Sequence, residues 1–356
     1  MKETAKEPNG RKIGIGMIGY AFMGKVHSNA FIKMRYSFPG IDYYPELVAV
    51  SGRNEEKVSA FATGFGYSGY YTDWRELIAD PDVEVVDNCS ADPNHLEPAL
   101  AALKQHKHLI IEKPLGLNMD ECERIVKTAQ DSGSRHMVCF NYRFMPSVRL
   151  ARDLIESGRL GKIYHMRGCY YQSPGYDPET PAEKVWYCRP ERVGIMQGIG
   201  SHIIDLARFL VGEIVSVSGR TRTFNQVRTT ISGENFKVAK DEVNIATVEF
   251  ETGAIGTIES SGISVGHRNR NEFEIFGSKG SLRFSLEDMN WLDVCIPGEQ
   301  QDDIQGYTRV SVTEPGHPNQ CGYLPRGHIQ GWEYGHVHAL KYFLDCLSEN
   351  RPVAPY

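Results

Sequence analysis

The sequence predicts a two-domain α/β chain: a doubly wound parallel sheet at the N-terminus, then an α+β domain with a large, mostly antiparallel sheet. Three observations carry this. Short apolar runs alternate with amphipathic stretches as far as residue 146, the rhythm of strands crossed over by helices. Beyond Ser147 the apolar runs lengthen and alternate with period two, as antiparallel strands do. The length of 356 residues suits two packed domains. The divisions expected are a flexible polar arm at 1–11, a first domain at 12–146 and a second at 147–356.

In the first domain, strands are expected at Lys12 to Ile18, Leu47 to Ser51, Glu84 to Cys89, His108 to Glu112 and His136 to Asn141. Helices should begin near Phe22, Asn54, Asp73, Pro93 and Asn118. The last of these closes on Gly133, a residue suited to a helix C-cap. In the second domain a helix ending at Gly158 precedes a strand from Lys162 to Gln172. A helix from Ser201 to Gly212 leads into five alternating strands between Val215 and Leu286. Pro297 to Gly331 reads as a polar loop, and a final helix starts at Glu333.

Composition narrows the partners. The net charge of −6 and the lack of a long Lys/Arg block argue against nucleic acid. No apolar run approaches the roughly 20 residues that span a bilayer. The N-terminal arm has no apolar core of a secretory signal, which points to a cytoplasmic chain. The eight cysteines show no C-x-x-C pair, so reduced thiols and no metal are expected.

Two glycine patterns overlap in the first strand and its turn. Gly14, Gly16 and Gly19 spell G-x-G-x-x-G, but Gly14 and Gly16 fall inside the strand IGIGMI. The working turn should run Gly19-Tyr20-Ala21-Phe22-Met23-Gly24, from strand end to helix start. There a small residue lets the backbone approach a pyrophosphate, and the helix N-terminus attracts it. With the alternating pattern behind it, this turn predicts a Rossmann dinucleotide-binding domain. The second strand ends at Gly52 and Arg53, where an acid would usually hold the ribose of NAD. An arginine suits the 2′-phosphate of NADP, or stacks on adenine, or faces solvent.

At Glu112-Lys113-Pro114-Leu115-Gly116 the chain resembles the glucose-fructose oxidoreductase / inositol dehydrogenase / MocA-like family. The resemblance extends over TDWRELIADPDVEVVD (72–87), PNHLEPALAAL (93–103), FNYR (140–143) and GSHIIDLARFLVGE (200–213). FMGKVHS (22–28) and the late EPGHP loop (314–318) resemble the levoglucosan-dehydrogenase and glycoside 3-oxidase branch.

The resemblance implies hydride transfer between nicotinamide and a sugar-like secondary alcohol, with NAD(H) preferred and NADP(H) left open by Arg53. It implies a cis bond before Pro114 and catalytic roles for Lys113 and His202. It places Trp74, Asn94, His95, Glu112 and Asn141 at the cofactor, and Asn141 and Arg143 where substrate and nicotinamide meet. A second copy of the chain is expected on the C-terminal sheet.

The residues themselves add to this. A desolvated lysine beside a cationic ring can have a lowered pKa, and a histidine titrates near neutrality. Trp186 and Tyr187 have faces that stack on sugars or aglycones, or pack in the core. The family pattern has an aspartate four residues before the histidine; here Gly198 stands, leaving room for a bulky substrate. Asp205 lies one turn after His202 and could meet it, or pair with Arg208.

The leading expectation is oxidation of a glucoside at C3, with a flavonoid C-glycoside as its sharpest form. A cyclitol or aldose dehydrogenase is the alternative, and a non-catalytic dinucleotide-binding sensor a third reading.

Overall fold

A computed structural model of the chain describes residues 10–189, 192–299 and 305–354. The arm expected at 1–11 lies almost wholly outside them. The chain divides into two compact units: Met1–Asn141 with Cys321–Pro325 and Glu333–Tyr356, and Tyr142–Gln320 with Arg326–Trp332.

The first unit runs β1 (Arg11–Ile18), α1 (Phe22–Ser37), β2 (Tyr43–Ser51), α2 (Glu55–Phe65), β3 (Gly69–Tyr71), α3 (Trp74–Ala79), β4 (Val85–Asn88), α4 (Leu96–Lys104), β5 (His108–Ile111), α5 (Met119–Ser132) and β6 (His136–Val138). Its six strands are all parallel, in the order β3-β2-β1-β4-β5-β6. The order reverses between β1 and β4, so a crevice opens at their carboxyl ends, where such sheets bind ligands.

Three helices of this unit start on side-chain caps. Asn54 accepts from Lys57 N–H, Asp73 from Arg75 N–H and Asn118 from Glu121 N–H. Gly66 and Gly133 end α2 and α5 in the left-handed conformation. β2 starts earlier than expected because Tyr43 to Leu47 pair with Arg11 to Ile15 despite the proline at 45. Three-residue β3 left no periodic signal at all.

The second unit contains α6 (Pro146–Glu156), β7 (Ile163–Tyr171), α7 (Ser201–Leu210), β8 (Ile214–Arg222), β9 (Val227–Thr229), β10 (Asn235–Lys237), β11 (Val243–Phe250), β12 (Ile255–Ser261), β13 (Arg270–Gly277), β14 (Ser281–Ser285), β15 (Trp291–Cys295) and β16 (Thr308–Ser311). Eight of these strands form one sheet, β16-β15-β14-β13-β7-β12-β11-β8. Only the β7–β12 pair is parallel. The stretch expected to be loop from Pro297 to Gly331 thus carries a strand, β16, which closes the sheet edge against β15.

Alternation sorts the faces. In β11, Asn244, Ala246, Val248 and Phe250 are buried while the residues between them are exposed. The buried face packs against α7 and α6. On the strands themselves Tyr164, Val215, Val217, Ile245 and Ile255 remain exposed.

The last helix, α8 (Tyr334–Ser348), belongs to the first unit and packs on α1. Its position in the chain predicts membership of the domain at 147–356, whereas its packing joins it to the first unit. Its fully buried Val337, Leu340 and Phe343 each stabilise the fold by roughly 1.5–3 kcal/mol.

Candidate active site

The turn after β1 is shaped for close approach of a ligand. Gly19 has φ of +100°, and a Cβ there would lie 2.8 Å from the Cys89 carbonyl oxygen. A Cβ at Gly24 would lie 2.2 Å from the Gly19 oxygen, so only glycine lets the helix start fold back on the turn. Ala21 caps α1 without a side-chain hydrogen bond, and the first turn of the helix carries no acid. Its N-terminal amides and partial positive charge therefore suit a pyrophosphate. Ala21 and Phe22 are exposed, as this role requires.

At the end of β2, Tyr20 lies over Gly52: a Cβ there would meet the ring at 2.0 Å. Arg53 is exposed beyond it. Asn94 is also exposed, while Trp74 packs partly buried on the core with Arg75 over its ring at 4.3 Å. His95 differs from expectation. It is fully buried, with Nδ1 2.7 Å from the Pro114 carbonyl and Nε2 3.2 Å from the Ser90 carbonyl, so it clamps two loops.

The Lys113–Pro114 peptide is cis, as the resemblance implied. Lys113 is half-buried, and its backbone N–H donates to Glu112 Oε2 at 3.2 Å. Glu112 itself turns inward, into a buried group with His27, Asp87, Cys89, Cys139 and His336. Burial opposes a charge on His27, but Asp87 and the two thiols outweigh it and raise its pKa well above the usual value. Burial would likewise raise the Glu112 carboxyl, yet His27 brings it down to about 2. Burial, then the His27 charge, pushes His336 down to about 3. Asn141, last in the first unit, is buried, and its amide nitrogen makes no hydrogen bond among the described residues.

In the second unit His202 lies in the first turn of α7, buried. Its ring stands 4.7 Å from that of Tyr142 and 5.9 Å from that of Tyr170. The two phenol oxygens are 3.0 Å apart, and Tyr170 donates to Asn269 Oδ1 at 2.6 Å. Trp332 Nε1 donates to Tyr142 at 3.3 Å. Burial, then Tyr142, holds the Tyr170 phenol well above its usual pKa and so neutral. Sequence reasoning missed this cage. Two signals were available: Tyr142 sits within FNYR, and Tyr170 has inward parity on β7.

Three expectations change here. Arg143 makes a buried bidentate pair with Asp205, Nε to Oδ2 at 2.7 Å and Nη2 to Oδ1 at 2.6 Å. Asp205 is thus held by Arg143, while Arg208 pairs with Glu213 at 2.8 Å, and two of Arg143's donors are already taken. Tyr187 is wholly buried and donates to Glu242 at 3.0 Å, beside a buried Arg228–Glu242 pair at 3.4 Å. It is core rather than substrate wall. Gly198, within a π-turn at Met196–Gly200, does not enlarge the site. The Trp186 ring fills the room: a Cβ at 198 would lie 2.3 Å from its Cη2.

Known proteins agree with this construction. The model for the oxidoreductase family with an NAD-binding Rossmann fold matches residues 13–140, and that for the GFO/IDH/MocA C-terminal domain matches 148–283. Levoglucosan dehydrogenase of Pseudarthrobacter phenanthrenivorans is 34% identical over 97% of this chain and 92% of its own length. Myo-inositol 2-dehydrogenase of Thermotoga maritima is 28% identical over 81% of this chain and 79% of its own. A structure of levoglucosan dehydrogenase with NADH and levoglucosan superposes with a TM-score of 0.91 at 33% identity, covering 97% of this chain and 92% of that one.

The fold and the turn define an oxidoreductase with an NAD-binding Rossmann domain. The chain belongs to the GFO/IDH/MocA family.

Proposed function

We propose that the protein is an NAD-dependent dehydrogenase that oxidises the C3 hydroxyl of a glucoside, a flavonoid C-glycoside being its sharpest candidate. The observation that carries this reading is the Trp186 ring lying against Gly198, one turn before His202 along the chain. An aromatic face there replaces the family's acid and suits the apolar face of a pyranoside. The levoglucosan dehydrogenase relative acts on a sugar derivative, which supports the substrate class.

When bound, the nicotinamide would supply hydride acceptance. The chain's own residues supply the rest. Gly19 to Gly24 would hold the pyrophosphate, with Gly52 and Arg53 at the adenosine end. Lys113 Nζ would share the reacting hydroxyl and keep its proton mobile, with His202 as the second proton acceptor. Asn141 would orient the substrate with its amide. Asp205, held by Arg143, would serve α7 rather than the proton path. In keeping with the exposed apolar residues on the outer sheet face, we propose that a second copy covers them.

The test is a panel of O- and C-glucosides, free sugars and inositols with NAD+ and NADP+, with product regiochemistry read by NMR. A 3-keto glucoside formed with NAD+ supports the proposal. Turnover confined to inositols would replace it with the cyclitol reading, which the Thermotoga relative favours.

A further inference from the structure

The buried group under Lys113 is more than a network of hydrogen bonds. Four donor atoms from four separate segments converge there: His27 on α1, Glu112 after β5, Cys139 after β6 and His336 at the start of α8. All four residues are 4% exposed or less. His27 Nε2 is 3.2 Å from Glu112 Oε1, 3.2 Å from His336 Nδ1 and 3.7 Å from Cys139 Sγ. Cys139 Sγ is 3.9 Å from His336 Nδ1, and the ligand atoms all lie within 4.8 Å of one another. A zinc ion with ordinary bond lengths sets tetrahedral edges of about 3.3 Å between N or O donors and about 3.6 Å from N to S.

Two further observations favour a cation over hydrogen bonds alone. Glu112 Oε1 is buried, and its one close partner among the described residues is another member of the cluster: it faces His27 Nε2 at 3.2 Å without the geometry of a hydrogen bond. A cation between the two would satisfy this poorly bonded carboxylate oxygen and the imidazole nitrogen together. The surroundings also orient the donors as metal ligands are oriented. Asp87 Oδ2 lies 2.8 Å from His27 Nδ1, so a bound cation that displaces the Nε2 proton leaves Nδ1–H donating to the carboxylate and the Nε2 lone pair aimed inward. Glu112 Oε2 is turned away by the Lys113 N–H, which presents Oε1 to the centre.

We propose that His27, Glu112, Cys139 and His336 form a closed tetrahedral zinc site that fastens α8 to the core of the first unit. Two imidazoles, one thiolate and one carboxylate are the donor set of a borderline-soft ion, and four protein ligands leave no position for substrate. The role is therefore structural.

Elemental analysis of the full-length protein, purified without chelators, tests this. About one zinc per chain is expected. Cys139→Ser and His336→Gln should each lower that content at least tenfold, while Cys295→Ser keeps it. Asp87→Asn should weaken zinc about 10–100-fold in competition with a chromophoric chelator. Cobalt exchanged into the wild-type chain should show a thiolate-to-metal charge-transfer band, which needs no variant to fold. A chain that is metal-free as purified, takes up no added zinc and shows no such band with cobalt overturns the proposal. Full zinc in a folded Cys139→Ser variant overturns it as well.

Discussion

The two units surround their central histidines in opposite ways. In the first, His27 stands among carboxylates and thiols, with Asp87 at 2.8 Å and Glu112 and Cys139 close by. In the second, His202 stands among phenol rings, with Tyr142 and Tyr170 as its ring neighbours. Carboxylates and thiols give an imidazole fixed polar partners. An aromatic neighbourhood packs rings against the imidazole and offers it no carboxylate or thiol as a ring neighbour. The contrast teaches which group is built to hold still and which to react.

The largest effect should come from the reacting groups. Lys113→Ala and His202→Ala should each lower kcat by about 10²–10⁴-fold while NADH fluorescence still reports binding. Turnover left at the wild-type level in both would break the division of labour drawn above. Next comes the buried ionic frame of the second unit. Glu242→Ala strands Arg228 in the core and should cost about 3–5 kcal/mol in urea unfolding.

The aromatic wall is tested by a pair of changes. Gly198→Asp alone collides with Trp186 and should cost about 1–3 kcal/mol. Combined with Trp186→Ala it should be tolerated. Trp186→Ala alone should raise KM for glucosides more than it lowers kcat; equal loss of both for every substrate would make the ring mere packing.

The smallest effect concerns pH. His108 Nδ1 accepts from the Arg135 N–H at 3.1 Å, and burial lowers the pKa of its ring. The folded state is therefore less basic at this site than the unfolded chain. The stability it contributes is fully present above about pH 6.5 and is lost as the pH falls below it. The loss should stay below about 1.4 kcal/mol per pH unit. Thermal melts at pH 7.5 and 5.5 should differ less in His108→Gln than in the wild type.

Local chemistry was readable where it lay within a few residues. The Gly19–Gly24 turn, the caps at Asn54, Asp73 and Asn118, and the alternation of β7 and β11 all depend on neighbours in sequence. What escaped depends on distant pairing. Thr308 to Ser311 form a strand only because Trp291 to Val294 offer an open edge. His27 stood in plain view within FMGKVHS, but its contact with His336 spans 309 residues. Gly198 invited an inference about empty space because nothing in the string shows where the Trp186 ring turns. Arg143 and Asp205, 62 residues apart, satisfied each other in the same unreadable way.

The position of α8 also has a consequence for biosynthesis. The first unit needs Lys33 beside Glu333 and His27 beside His336, partners some three hundred residues apart. An emerging chain can pair β1 to β6 early, but it cannot cover α1 until α8 has left the ribosome. The second unit must therefore form within an interrupted first one. Until α8 emerges, the face of α1 that it covers stays exposed and open to a chaperone.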